Sequence, residues 1–164
     1  MTSLLRRSLV ALALVAVPAA AIAQTHQDYA GKWALSQSKS TRGAAGNGAS
    51  MSFGSELVIT QSATEVKVES RYPRVEATQT VAFKLDGSEV TVPLPEGITE
   101  KAKAGWEGDK LVVTARRIVS TQFGDFVSDT KEVWTRMGNA LTIQKTLNSD
   151  GVINTETAWF DRQP

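Results

Sequence analysis

Three charged residues lie in successive C-terminal segments whose spacing could bring opposite charges together. Glu132, Lys145 and Glu156 each fall within a run of alternating apolar and polar residues. If these runs are antiparallel strands, a tight turn at Gly138-Asn139 places Glu132 directly opposite Lys145, with Glu156 diagonal to the lysine. Inside a barrel, such charges would line a hydrated cavity or hold a polar group of a ligand. On a solvent-exposed face they would form an ordinary cross-strand pair, and the sequence leaves both arrangements open.

Aromatic and further polar side chains share the predicted inner face with these charges. Aromatic rings around a few polar groups suit a small apolar or aromatic molecule, and a barrel of eight to ten strands has room for one such ligand. The predicted ligand-binding residues are therefore Glu132, Lys145, Glu156, Trp134, Trp106, Phe83, Gln79, Arg117 and Tyr72.

Several kinds of chemistry lack the residues that they require. The only histidine, His26, lies in an N-terminal lead-in that we expect to be frayed, so neither a Ser-His-Asp triad nor a histidine metal site is predicted. The chain has no cysteine and no glycine-rich phosphate loop between a strand and a helix. Basic residues are dispersed among acidic ones, which does not favour a nucleic-acid partner. We therefore predict no metal, no cofactor and no catalytic nucleophile.

Two other functions are compatible with the sequence. The first is a cofactor-free isomerase or lyase, with Glu132 or Glu156 as general base and Lys145 as its electrostatic partner. The second is an envelope interaction or inhibitor protein, for which the outward-facing Trp159 would be the anchor. A small-molecule-binding protein is the function that the sequence favours.

The N-terminus has the features of a cleaved export signal. Arg6 and Arg7 precede an apolar run over residues 9–17, and Ala21-Ile22-Ala23 provides small residues at a cleavage site. The run is too short to cross a hydrocarbon core of about 30 Å. We predict a signal peptide over residues 1–23 and one mature domain over residues 24–164, periplasmic or secreted, with no membrane segment. The ordinary secretory route is favoured over twin-arginine export.

The mature chain must be stabilised by its hydrophobic core. Without Arg6 and Arg7, the mature domain has a net charge of about −1, and the absence of cysteine excludes disulfides. A chain of this length buries about two-thirds of its unfolded surface, which is sufficient for one domain.

β-Rich runs separated by turn residues predict an all-β, antiparallel up-and-down meander. Apolar residues do not hold a helical period over three turns after residue 51, so we expect little helix. The meander has eight to ten strands and closes into a barrel. The candidate strands are residues 31–36, 52–61, 65–72, 75–85, 89–94, 99–106, 110–118, 126–137, 140–147 and 152–162.

The turns also predict strand registers, and alternation then assigns one inner face. The predicted opposite pairs are Met137 with Ala140, Leu147 with Val152, Trp106 with Asp109, and Ile59 with Val66. The predicted inner face is Leu57, Ile59, Val66, Val68, Val81, Phe83, Leu85, Val90, Val92, Trp106, Leu111, Val113, Trp134, Leu141, Ile143 and Phe160.

Gly31-Lys32-Trp33 at the start of the first strand resembles the Gly-x-Trp signature of lipocalins. The mature chain is similar, more closely, to exported bacterial lipocalin-like domains of uncharacterised function. The matching segments, in order, are Gly31-Lys32-Trp33-Ala34-Leu35, Ser38-Lys39-Ser40, Leu85-Asp86-Gly87, Trp106-Glu107-Gly108-Asp109-Lys110-Leu111-Val112-Val113, Glu132-Val133-Trp134, Leu141-Thr142-Ile143 and Phe160-Asp161-Arg162. The resemblance implies a lipocalin-like barrel in which Trp33 lies across the closed end under Arg162, both with structural roles.

Overall fold

The computed structural model describes residues 26–41 and 52–164, which form ten antiparallel strands. The predicted signal peptide and most of the glycine-rich stretch after Ser40 lie outside the described residues. A 3₁₀ turn over Pro73–Val75 joins the third strand to the fourth. The strands are β1 Gly31–Leu35, β2 Glu56–Gln61, β3 Glu65–Tyr72, β4 Ala77–Lys84, β5 Val90–Val92, β6 Ile98–Glu107, β7 Lys110–Thr121, β8 Gly124–Met137, β9 Ala140–Ser149 and β10 Val152–Gln163.

The strands follow one another around a nearly closed barrel, which confirms the predicted fold class. Their order is β4-β3-β2-β1-β10-β9-β8-β7-β6-β5, so β1 joins the first and last parts of the chain. β4 and β5 are the two edges of the sheet. The side chain of Gln79 on β4 reaches across this gap and donates a hydrogen bond to the carbonyl oxygen of Pro93, at 3.1 Å.

The core consists of alternate side chains that point into the barrel, as period-two patterning requires. Every residue of the predicted inner face is either buried in this core or packed against it. The buried members are Tyr29, Trp33, Leu57, Ile59, Val66, Val68, Val81, Phe83, Val92, Ala102, Ala104, Leu111, Val113, Trp134, Leu141, Ile143, Ala158 and Phe160.

The hairpin at Gly138-Asn139 has its predicted register, and the other three predicted registers are wrong by two residues. Ile59 pairs with Val68 instead of Val66, Trp106 with Leu111 instead of Asp109, and Leu147 with Asn154 instead of Val152.

The residues that adopt positive φ determine where these turns fall. At the last hairpin they are Asp150 (φ 51°) and Gly151 (φ 80°), whereas the prediction centred the turn one residue earlier. A shift of two residues preserves the face of every side chain. It also places Glu156 directly opposite Lys145 instead of diagonal to it.

Trp33 fills the closed end of the barrel, as the lipocalin resemblance implied. The Trp33 side chain is buried, and its indole donates a hydrogen bond to the carbonyl oxygen of Tyr29 at 2.9 Å. The Arg162 guanidinium carbon lies 5.5 Å from the centre of the indole. A second guanidinium, that of Arg136, lies 5.9 Å from the same ring and was not anticipated. Two cations therefore stabilise the indole through cation–π attraction.

The segment before β1 belongs to the core, so the expectation of a frayed lead-in is wrong. Tyr29 is fully buried, and its hydroxyl donates to the carbonyl oxygen of Trp134 at 2.8 Å. Its backbone N–H donates to the side-chain oxygen of Gln61 at 2.9 Å. The Gln61 amide in turn donates to the carbonyl oxygen of Gln27 at 2.9 Å. Burial raises the pKa of the Tyr29 hydroxyl to about 12.

Candidate functional site

The barrel contains a partly open cavity of about 110 Å³ between the two halves of the sheet. Aliphatic and aromatic side chains form its wall on the side of the closed end. Polar side chains concentrate toward the opposite end of the barrel, where the C-terminal ends of β3 and β7 lie. The apolar lining includes Leu57, Val68, Val81, Phe83, Val92, Val113, Trp134 and Ile143, and the polar lining includes Ser70, Tyr72, Gln79, Glu100, Arg117, Thr130, Glu132 and Lys145.

Glu132 and Lys145 form an ion pair inside the barrel. Their Cα atoms are direct partners across β8 and β9, and the Lys145 Nζ lies 3.4 Å from the Glu132 Oε1. The Lys145 and Glu132 side chains are only 15% and 20% exposed, so solvent weakens this attraction less than it would on the surface. The Trp134 indole donates to the second carboxylate oxygen of Glu132 at 3.1 Å. The charged pair is therefore fixed beside an aromatic wall.

Glu156 extends this pair into a row of three charges across β8, β9 and β10. It faces Lys145 in the β9–β10 register, and the Ser52 hydroxyl donates a hydrogen bond to its carboxylate. The carboxyl group does not line the cavity but lies on the far side of the lysine. Burial raises the pKa of Glu156, and the negative charge of Glu132 adds to the effect while Lys145 opposes it.

A second ion pair lies nearer the end opposite Trp33. Arg117 on β7 donates through Nε to the carboxylate of Glu100, its direct partner on β6. The Glu100 side chain is 15% exposed, whereas that of Arg117 is 44% exposed. Burial raises the pKa of nearby Tyr72, and the charge of Glu132 reinforces the shift. Tyr72 therefore stays protonated and able to donate a hydrogen bond at neutral pH.

The sequence prediction missed Glu100, although the signal for it was present. Glu100 is six residues from Trp106 in the same strand, and Trp106 belongs to the predicted inner face. Alternation therefore assigns both residues to the interior.

Trp106 does not line the cavity, in contrast to its predicted position. Its indole stacks on the His26 ring with 4.2 Å between ring centroids and an interplanar angle of 2°. Tyr29 lies on the cavity side of this stack, 6.0 Å from both Trp106 and Trp134. The N-terminal segment therefore separates Trp106 from the cavity. Phe83, Gln79, Arg117, Tyr72, Trp134, Glu132 and Lys145 are the predicted residues that do line it.

Trp159, the predicted anchor for a partner protein, is only half-exposed. The Lys39 ammonium lies 5.7 Å from its ring, and the indole N–H donates to Asp161 at 3.3 Å. These contacts cover part of the surface that a partner would need.

Within the described residues, His, Asp and Glu side chains do not form a cluster of three that could hold a metal ion. In the same part of the chain, none of the helical structure is long and apolar enough to span a membrane.

The fold and cavity define a lipocalin-like β-barrel. No protein-family model matches the sequence, and none of the curated proteins matches it. Among solved structures, the chain is similar to a secretory abundant heat soluble protein from Ramazzottius varieornatus, with a TM-score of 0.57, 19% identity, and coverage of 85% of this chain and 98% of that one. It is also similar to zebrafish ileal bile acid-binding protein in complex with cholic acid, with a TM-score of 0.57, 15% identity, and coverage of 82% and 98%. These similarities establish the barrel fold.

Proposed function

We propose that this protein is an exported binding protein that holds one small apolar or aromatic molecule in the barrel cavity. The observation that carries the proposal is the cavity itself, with Phe83 and Trp134 in its apolar wall and two ion pairs at its polar side. A concave apolar site with a few polar groups that fix orientation is the usual form of a small-molecule site. The bile acid-binding protein with the same fold supports this reading.

Tryptophan fluorescence tests the proposal, because the structure separates the indoles by location. We expect a bound aromatic molecule to change the emission of Trp134, which lines the cavity. The variant Trp134→Phe should lose most of this response, whereas Trp106→Phe should keep it, since Trp106 lies outside the cavity. Native mass spectrometry of protein purified from its host identifies the candidate ligand.

A variant that fills the cavity should abolish ligand binding without disrupting the fold. Ala102 is buried and lines the cavity, so Ala102→Leu should occupy the space that the ligand needs. Calorimetry should show loss of binding while circular dichroism shows a retained β-fold. Binding that survives Ala102→Leu, or a fluorescence response that survives Trp134→Phe, would place the ligand elsewhere.

Export is the second part of the proposal. The basic residues, apolar run and Ala21-Ile22-Ala23 site support cleavage before Gln24. N-terminal sequencing of protein collected from outside the cytoplasm should therefore begin at Gln24. An external protein that still begins at Met1 would contradict cleavage.

A cofactor-free isomerase or lyase is the second candidate, because the carboxylate of Glu132 lines the cavity beside Lys145, as a general base with an electrostatic partner would. If the protein is an enzyme, incubation with the co-purified molecule should convert it to an isomer or elimination product, and Glu132→Gln should slow that conversion. Recovery of the molecule unchanged favours binding alone.

A further inference from the structure

We infer that the cavity takes an uncharged molecule about one ring in size and discriminates against carboxylates, because each cation that the described residues place in its lining already has a carboxylate partner. This inference rests on the proposed binding function and specifies the ligand class of the same cavity. Four charged side chains of the described residues line the cavity: Glu100 with Arg117, and Glu132 with Lys145.

The charges that the described residues contribute to the lining are balanced, so an incoming anion finds no unpaired cation among them. Lys145 has Glu132 at 3.4 Å on one side and Glu156 opposite it on the other. Arg117 is bonded to Glu100. A ligand carboxylate placed near either cation would also lie near a carboxylate of the protein. Two carboxylates in one poorly hydrated site repel, and one of them must take up a proton or leave.

Uncharged polar groups of a ligand interact more favourably with the cavity lining than a carboxylate does. The hydroxyls of Ser70, Tyr72 and Thr130 face the same space as the ion pairs. The hydroxyl of Tyr72 is a donor over the whole neutral range, as that of an ordinary tyrosine is, and burial raises its pKa still further. Hydroxyl or amide groups can exchange hydrogen bonds with these residues without disturbing either ion pair.

The volume limits the ligand further. The cavity measures about 110 Å³. A dry apolar cavity of roughly 150 Å³ accepts a benzene molecule, whereas sites for drug-sized ligands measure roughly 300 to 1,000 Å³. The cavity therefore accommodates at most one ring, and any substituent must extend through its open side.

Benzamide and benzoate test the inference, since they have nearly the same shape and differ in charge. Calorimetric titration of the full mature domain at pH 7 should show benzamide binding at least about tenfold more tightly than benzoate, because one opposed charge is worth about one to three pKa units. Benzoate binding as tightly as benzamide would overturn the inference.

Three variants test whether the paired carboxylates cause this selectivity. Glu100→Gln leaves Arg117 without its partner, and the benzamide-to-benzoate affinity ratio should fall by about tenfold. Glu132→Gln should lower the ratio less, because Glu156 still faces Lys145. The control Glu69→Gln removes an exposed carboxylate that pairs with Lys67, and the ratio should not change. An unchanged ratio in Glu100→Gln, or an equal fall in the control, would overturn the inference.

The outcomes also separate this inference from the proposed function. If only larger ring compounds bind and they change the emission of Trp134, the protein is a binding protein and the ligand class is wrong. If no ring compound of any size binds the wild type, the proposed function fails, and this inference fails with it.

Discussion

Tyr29 combines complete burial with a hydrogen bond to the main chain of a distant strand. Its hydroxyl donates to the Trp134 carbonyl oxygen, and its ring lies between the Trp106 stack and the cavity. Tyr29→Phe removes that hydrogen bond and should cost about 1 kcal/mol of unfolding free energy. Tyr29→Ala also removes a buried ring and should cost about 3 to 5 kcal/mol. Urea melts at pH 7 measure both losses, and equal losses would mean that the ring contributes nothing.

The same hydroxyl should make the fold sensitive to alkali. Its folded-state pKa of about 12 lies above the ordinary value of 10, so the unfolded chain releases this proton first. The stabilisation is fully present below pH 10 and is lost as the pH rises from 10 to 12. Stability measured by urea melts should therefore fall more steeply over this range in wild type than in Tyr29→Phe. Parallel curves would show that another group causes the loss.

Lys145 should matter more to stability than either of its carboxylate neighbours. Lys145→Met leaves Glu132 and Glu156 facing each other without a cation and should cost about 2 kcal/mol at pH 7. Glu132→Gln should cost less, because Glu156 remains beside the lysine. Replacing both members of the pair, as Glu132→Gln with Lys145→Met, should be less harmful than Lys145→Met alone.

The dependence on pH distinguishes this repulsion from lost packing. Without Lys145, burial and the charge of Glu132 raise the folded-state pKa of Glu156 further above the unfolded value of about 4.3, because the opposing cation is gone. The folded state then holds protons that the unfolded state releases, so stability falls as the pH rises through that window. Urea melts should show that the deficit of Lys145→Met shrinks from pH 7 to pH 4. A constant deficit would indicate packing.

At the level of strands, glycines at the turns fix the registers. Gly151 has φ +80°, a conformation that costs an L-residue about 1 to 2 kcal/mol, so Gly151→Ala should destabilise by that amount. Gly105 lies inside β6, and a methyl group there would meet open space. Gly105→Ala should therefore be neutral or stabilise by about 0.5 kcal/mol. Thermal melts compare the two, and the opposite order would contradict the turn assignment.

Alternation in the sequence determined the faces of the strands but could not determine all of their registers. Leu57, Ile59 and Val68 remain inside the barrel whichever of two registers their hairpin adopts, because a slip of two residues preserves the face. The true register depends on local turn geometry, as at Asp150 and Gly151. A periodicity argument cannot distinguish adjacent turn positions that differ by one residue.

Local sequence patterns could not predict the position of the N-terminal segment. Tyr29 is held by Gln61 and Trp134, which are far from it along the chain. The short segment before β1 has neither helical nor strand periodicity. Its order comes from long-range burial, and this is why Trp106 was assigned to the cavity in error.

For the whole molecule, the gap between β4 and β5 is the weakest part of the sheet. β5 has three residues and hydrogen bonds to β6 alone, whereas β9 is paired along its length with both β8 and β10. Local opening should therefore begin at β5. Hydrogen exchange followed by NMR should show β5 amides exchanging well before those of Leu141 and Ile143. Equal protection of β5 and β9 would mean that the sheet opens only as one unit.

The described chain enters and leaves the barrel at the same end, and this determines how it responds to force. His26 lies against Trp106 at the closed end, and Gln163 is paired there with Lys32. Because β1 and β10 are antiparallel neighbours, tension between the two ends separates them from the shared end. Their hydrogen bonds are then loaded one after another, not all at once as in shear. A single molecule stretched in this way should yield at low force, losing the contacts of Tyr29 and Trp33 before the charged row is disturbed.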